Sequence, residues 1–307
     1  MSERELPIPW RLNLALAVLT LAALLVLLRL AGQVGFWWCL TVLAPLYGVV
    51  MNAGYSLIHE AEHNLFHPDR RVNDAAGMVL ALLFPAPFHL LRQGHLGHHL
   101  RNRSDDEAFD LYFPEDSALW KHAQLYGILT GGYWLVVALS SPIVLLRPSL
   151  LRRNAVRFDR PTAALLESLN PRYEAWIRLE ALAVVLLHGG LLWLWQVPPA
   201  GYGVVLFGFG LSWSGLQYVH HFGTVRDVRR GARNLRTWAL LDAIWLNHNY
   251  HLNHHLSPTV PWLHLPGLYS GPEFERGSLL AAYLRMWRGP CLTAKRVQNR
   301  YAGLVIR

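Results

Sequence analysis

Three histidine clusters carry the residues whose type and spacing can do chemistry: His59-Glu-Ala-Glu-His63, His95-Leu-Gly-His98-His99 and His251-Leu-Asn-His254-His255. On a helix, residues three and four apart share a face. The first cluster therefore presents two imidazoles, and each of the others three, toward a common point. Imidazole suits iron, zinc, copper and nickel, and eight of them are twice what one tetrahedral zinc site takes. Two metals are the economical reading. Without metal, so many imidazoles packed together leave buried polar groups in want of partners. A fourth element is Gln217-Tyr-Val-His220-His221-Phe-Gly223. Gln217 and His221 are four apart and face the same way on a helix, whereas His220 points elsewhere. His221 is thus the ninth candidate, with His220 as its neighbouring alternative, and Gln217 is placed to hold a metal-bound water or border an open position. Carboxylates often orient metal-bound imidazoles, and Glu60, Glu62, Asp106 and Asp242 are candidates for that role. His248 lies three residues before the third cluster and can turn inward with it. His67, His89, His122, His188 and His264 read as solvated, interfacial or structural.

The elements that must position these residues are apolar. The chain has 307 residues, 53% hydrophobic and 16% charged, poor in charge beside the roughly 25% of an ordinary soluble domain. Segments 13–30, 36–58, 179–197 and 203–219 each approach the ~20 residues that cross a bilayer as a helix. They pair into two hairpins through the links 31–35 and 198–202, which contain no Lys or Arg. The N-terminal flank, with Glu3, Arg4, Glu5 and Arg11, has no convincing cleavage site, so the first segment reads as a retained span. Arg70, Arg71, Arg92, Arg101, Arg103, Arg152, Arg153, Arg157, Arg226, Arg229 and Arg230 fall on the other side, which puts them, the histidines and both termini in the cytoplasm. Segment 75–91 contains Pro85 and Pro87 and reads as re-entrant or interfacial. Segment 124–146 contains Gly131, Gly132 and Pro142 and reads as a membrane-lying helix or a broken pair. An odd number of crossings between His63 and His95 would separate neighbouring clusters across the bilayer. The expectation is an all-α integral membrane protein forming one domain over 1–307, with four full spans, two partial ones and a cytosolic helical cap over 221–307.

Two cysteines, Cys39 and Cys291, make neither a disulfide framework nor a cysteine zinc site. The excess of 28 Lys and Arg over 20 Asp and Glu fits the positive-inside bias. The basic stretch 226–236 reads as a surface near anionic lipid, and no nucleic-acid partner is expected. The thirteen tryptophans read as interfacial belts.

The clusters, together with the proline-rich run Pro258, Pro261 and Pro266 after the third and with Asn102, Ser104, Asp105, Asp106 and Glu107 after the second, resemble the membrane fatty acid desaturases and the related hydroxylases and ketolases. His220 departs from many relatives, which carry an acidic residue there. The resemblance implies a non-haem di-iron centre using O2, with ligands His59, His63, His95, His98, His99, His221, His251, His254 and His255. It also implies a lipid or acyl substrate in an apolar tunnel. The activity so implied is desaturation, with hydroxylation or ketolation of a lipid or carotenoid as the alternative. No His-Pro-Gly-Gly stretch of a fused cytochrome b5 occurs, so electrons are expected from a separate ferredoxin, cytochrome or reductase, and the setting is expected to be a bacterial inner membrane. The competing class is a non-enzymatic membrane protein that binds metal or haem. Transporters hold ligands near the midplane between broken helices, whereas these clusters sit at span ends and in polar loops.

Overall fold

The structure is a computed structural model describing residues 6–152 and 155–306; Glu3, Arg4, Glu5 and Arg153 lie outside the described residues. It is mostly helical. α1 (Trp10–Leu30) and α2 (Phe36–Glu62) form the first hairpin. α3 (Arg70–Leu83), α4 (Phe88–Arg101), α5 (Ala118–Leu129), α6 (Gly132–Leu146) and the short α7 (Arg160–Ser168) follow. α8 (Glu174–Trp195) and α9 (Pro199–Gln217) form the second hairpin. α10 (Ala239–Ile244), α11 (His251–Leu256) and α12 (Leu279–Met286) are short. Among the described residues the strands form two parallel pairs of two residues each. β1 (Leu111–Tyr112) pairs with β4 (Cys291–Leu292), and β2 (Leu235–Arg236) with β3 (Gly277–Ser278).

Three helices are long and apolar enough to cross a membrane, Trp10–Leu30, Phe36–Glu62 and Pro171–Trp195, or up to five spans if each sharply bent pair counts as one. The expected count of four lies within this range; segment 203–219 falls in α9, which is not among the three. Its five glycines and its Ser212, Ser214 and Gln217 dilute its apolar character. α9 is an inner helix, with Tyr202, Val205, Leu206, Phe209 and Trp213 buried. A helix shielded by neighbours need not be lipophilic all round. The contrast is with α1 and α8, which expose Val18, Leu19, Val26, Leu179, Leu186 and Leu194. α9 lies so close to α2 that a Cβ on Gly208 would stand 2.4 Å from the Ala44 carbonyl oxygen.

The two hairpin links meet, since a Cβ on Gly32 would touch Val197 Cγ2 at 3.2 Å. The histidines lie at the other ends of these helices. α3 and α4 are bent by 102° at the segment holding Pro85 and Pro87, and α5 and α6 by 85° at Gly131. Gly131 has φ 90°, a left-handed conformation that glycine takes without strain. The bend before α4 returns the second cluster to the first.

The expectation of a helical cap is corrected. Residues 221–306 are mainly turns and extended segments around three short α-helices and two 3-10 helices, Trp262–Gly267 and Pro272–Phe274, because prolines at 258, 261, 266, 272 and 290 remove backbone donors and interrupt α-helical runs.

Candidate metal centre

α2 ends at the first cluster. Asn64, with φ 60°, terminates it in the left-handed conformation that asparagine tolerates, leaving His59 within the helix and His63 at its cap. α4 carries the second cluster in its last turns. α11 is six residues long and depends on an outside cap: Asn234 Oδ1 accepts from Leu252 N at 3.0 Å and Asn253 N at 3.3 Å, satisfying donors that a helix start leaves open. His221 lies just past α9 in a turn, where its Nδ1 lies 2.8 Å from the Gly231 carbonyl oxygen.

The nine candidate histidines converge, and they divide. His59, His63, His95, His99 and His254 form one group, and His98, His221, His251 and His255 the other. Within each group the ligand atoms lie within 4.8 Å of one another. The second and third clusters each serve both groups, so the expectation that each cluster points to one common location is corrected. Residues i, i+3 and i+4 on a helix fan over an arc wide enough to reach two centres side by side.

The Nε2 atoms face inward. His63 and His95 approach to 2.8 Å, His95 and His99 to 3.1 Å, and His99 and His254 to 2.9 Å. In the other group His221 and His251 approach to 3.0 Å, His251 and His255 to 3.2 Å, and His98 and His255 to 3.3 Å. This donor set fits metal. His98 Nδ1 meets the Glu107 carboxylate and His221 Nδ1 a carbonyl. Both acceptors require a proton on Nδ1, leaving the Nε2 lone pairs aimed into the group. His59 Nε2 is buried without a hydrogen-bond partner. Converging lone pairs repel one another unless a cation stands between them. Burial first, and neighbouring imidazoles second, hold His221, His251, His254 and His255 well below the ordinary histidine range. They are therefore neutral, as ligands must be.

The surrounding residues differ in part from those anticipated, although Glu60 Oε1 does lie 4.0 Å from His59 Nδ1. Glu107, not Asp106, reaches His98, while Asp106 accepts from Asn299 Nδ2 at 3.0 Å. Burial raises the Glu107 carboxyl, but His98 and Arg101, whose Nε donates at 2.9 Å, outweigh it and hold it below the usual carboxylate range. Glu60 Oε2 accepts from Trp262 N at 3.1 Å and so fastens the proline-rich run, and Glu62 Oε2 is buried without a hydrogen-bond partner. Asp242 acts at one remove: it accepts from Arg276 Nη2 at 2.6 Å and Asn249 Nδ2 at 2.8 Å, and Asn249 Oδ1 lies 3.2 Å from His220 Nε2. His220 is outside both groups. So is His248, whose ring lies 5.0 Å from that of His59. Gln217 ends α9, so it shares no helix face with His221. It accepts from Tyr55 Oη at 3.5 Å and borders a small cavity with His220, His248 and Asn249.

The other five histidines are engaged elsewhere: His67 with Asp69 N, His89 with Glu180, His122 with the Ala118 carbonyl, His188 with Tyr202 and the Leu82 carbonyl, and His264 with the Pro7 carbonyl.

Sequence reasoning missed a network that holds the His221 turn. Arg103 is almost fully buried. Its Nη1 donates to Asp110 Oδ1 and Tyr218 Oη, each at 2.5 Å, and its Nη2 to the Thr224 carbonyl at 2.9 Å. Asp110 Oδ2 accepts from Gly223 N at 2.6 Å. Arg103 has φ 61°, strain that surrounding bonds must hold in place. An arginine directly after the second cluster was the available signal.

Helices long and apolar enough to span a membrane are joined here to two all-histidine groups, each of which could hold a metal ion. The sequence model of the fatty acid desaturase family matches residues 35–288, and the chain belongs to that family, a family of oxidoreductases. It is similar to the sn-1 oleoyl-lipid 12-desaturase of Anabaena variabilis, 24% identical over 293 residues that cover 82% of this chain and 75% of that protein. The sn-1 oleoyl-lipid 12-desaturase of Arthrospira platensis is also 24% identical, over 256 residues covering 75% of this chain and 67% of the relative.

Proposed function

We propose that this protein is an O2-dependent lipid desaturase whose two histidine groups each hold one iron: His59, His63, His95, His99 and His254 the first, and His98, His221, His251 and His255 the second. The observation that carries the reading is the division of nine converging imidazoles into five and four in a member of the desaturase family. When bound, the irons supply the redox chemistry that uses O2 to oxidise an unactivated C–H pair. Desaturation removes two hydrogens from adjacent methylenes and, with O2, two electrons and two protons, yields one C=C bond and two waters. The electrons come from a separate donor, a ferredoxin, cytochrome or reductase.

The chain's own part is binding, orientation and exclusion of water. Glu107 and the Gly231 carbonyl fix the tautomers of His98 and His221, so that neutral nitrogens face the irons. Tyr55, 6.5 Å from the His59 ring, continues into Trp213, Phe84 and Phe209 at centroid distances of 4.9 to 5.7 Å. These buried rings pack on one another beside the centre, and we propose that the acyl chain, whose reacting carbons must be held in near-attack geometry, lies against this aromatic wall. The oleoyl-lipid activity of the relatives favours a lipid-borne acyl chain. The arginine placement supports a centre and termini that face the cytoplasm, and we propose a bacterial inner membrane as the setting.

The test is acyl profiling of a host expressing the wild type or His98→Ala, with metal analysis of the purified protein. New unsaturated species with the wild type alone, about two irons per chain and no haem Soret band are expected. Identical profiles from the two hosts, or a Soret band, would refute the proposal.

A further inference from the structure

The segment 289–306 follows α12, and its regular structure is confined to β4. Segments of this kind are ordinarily loose unless tied down. This one is tied along its length. Gly289, with φ 84°, turns the chain back, and Cys291 N donates to the Asp110 carbonyl at 2.9 Å. Asp105 N donates to the Val297 carbonyl at 2.8 Å, and Val297 N returns a bond to Asp105 Oδ1 at 2.9 Å. Asn299 Nδ2 donates to Asp106, as above. Arg296 pairs with Glu115 and lies 3.5 Å over the Phe113 ring. At the far end Ile306 is buried, and its N donates to the Ser168 carbonyl at 2.9 Å.

Apart from Ser168, these partners share one loop, 102–117, between α4 and α5. The same loop supplies Glu107 to His98 and Asp110 to Arg103. Asp105 and Asp106, the two residues before Glu107, are both held by the segment, which pins the backbone from which Glu107 reaches back. We propose that 289–306 is a strap that keeps Glu107 on His98, with Asp105, Arg296 and Asn299 as positioning residues for the four-histidine group. The strap lies beyond the stretch matched by the family's sequence model, 35–288. The inference rests on the two-metal reading.

The experiment loads three full-length variants and one shortened chain with iron, removes loosely held metal by dialysis, and counts iron per chain. The variants are Arg296→Ala/Asn299→Ala, Glu107→Gln and their combination, and the shortened chain ends after Arg288. The wild type should retain two irons. The strap variants should retain about one, with affinity at the weaker site reduced roughly 10–100-fold, as when an outer partner of a ligating histidine is lost. Glu107→Gln should match them, and the combination should be no worse than either alone, because both act through one contact. Where the shortened chain does not fold, the point variants decide. Two firmly held irons in the strap variants, or additive losses in the combination, would overturn the strap. Fewer than two irons in the wild type would overturn the two-metal reading beneath it.

Discussion

The two histidine groups share α4 and α11 and differ in the backbone that completes them. In the five-histidine group every imidazole is carried by a helix or its cap: α2 at a span's end, α4 just after a bend, and α11. In the four-histidine group His221 comes from a turn held by the Gly231 carbonyl and the Arg103–Asp110–Tyr218 network, and Glu107 from the loop after α4 holds His98. Asn102 Nδ2 adds bonds to the carbonyls of Val228 at 3.0 Å and Gly231 at 3.2 Å. α4 and α11 serve both groups; the long helix α2 completes the first with His59 and His63, whereas a turn held by polar loops completes the second with His221. Damage to the cap should therefore reach the second group first, since loops open at lower cost than packed helices.

The largest expected effect is loss of a proposed ligand. His95→Ala and His98→Ala should each lower turnover by more than the roughly 10–100-fold that follows loss of an outer partner, yet each should empty a different group. Iron analysis reads the difference, and loss of both irons from either variant would show that the groups are not independent.

Next comes Asp110→Ala, which strips a buried arginine of its carboxylate. About 3 kcal/mol of destabilisation is expected, read as a fall of several degrees in the melting temperature in detergent. An unchanged melting curve would remove Arg103 from the account of how the His221 turn is held.

A smaller effect is expected from pH. Burial pushes the His248 imidazole down to about 4 and that of His220 to about 3, from an ordinary value of 6.5. A histidine depressed on folding stays neutral while the unfolded chain takes up its proton, so folding stability is full above about 6.5 and falls as the pH drops toward 4. Metal-free protein should melt progressively earlier between pH 7.5 and 5. A melting point that rises on acidification would contradict the buried, neutral state of these rings.

The smallest effect belongs to His122→Ala, an α5 histidine whose hydrogen bond goes to the Ala118 carbonyl of its own helix. Its activity should stay within about twofold of wild type, since surface changes of this kind seldom exceed ~0.5 kcal/mol. A loss near that of His98→Ala would show that α5 acts on the centre in a way the geometry does not contain.

Much of the centre was legible in the sequence, because spacing on a helix is a local property. His59 and His63, or His251 and His255, face together wherever the helix goes, and the turns at Pro85, Pro87 and Gly131 follow from what those residues forbid or permit. Two features were not legible. Which of Asp105, Asp106 and Glu107 reaches an imidazole depends on the chain path after α4 ends and Arg103 turns left-handed, where periodicity says nothing. Gln217 and His221 share no face because α9 stops between them.

The sequence alone determined the inventory: eight imidazoles in helical register with His221 as the ninth candidate, the apolar hairpins that bring them to one end, and the basic segments beside them. Its local rules act over three or four residues, and they reach that far and no further. The tertiary structure decided the division into five and four, the choice of Glu107, and the fastening of loop 102–117 by residues nearly two hundred positions later. Those outcomes depend on contacts between distant segments, and only the packed chain brings such segments within bonding distance.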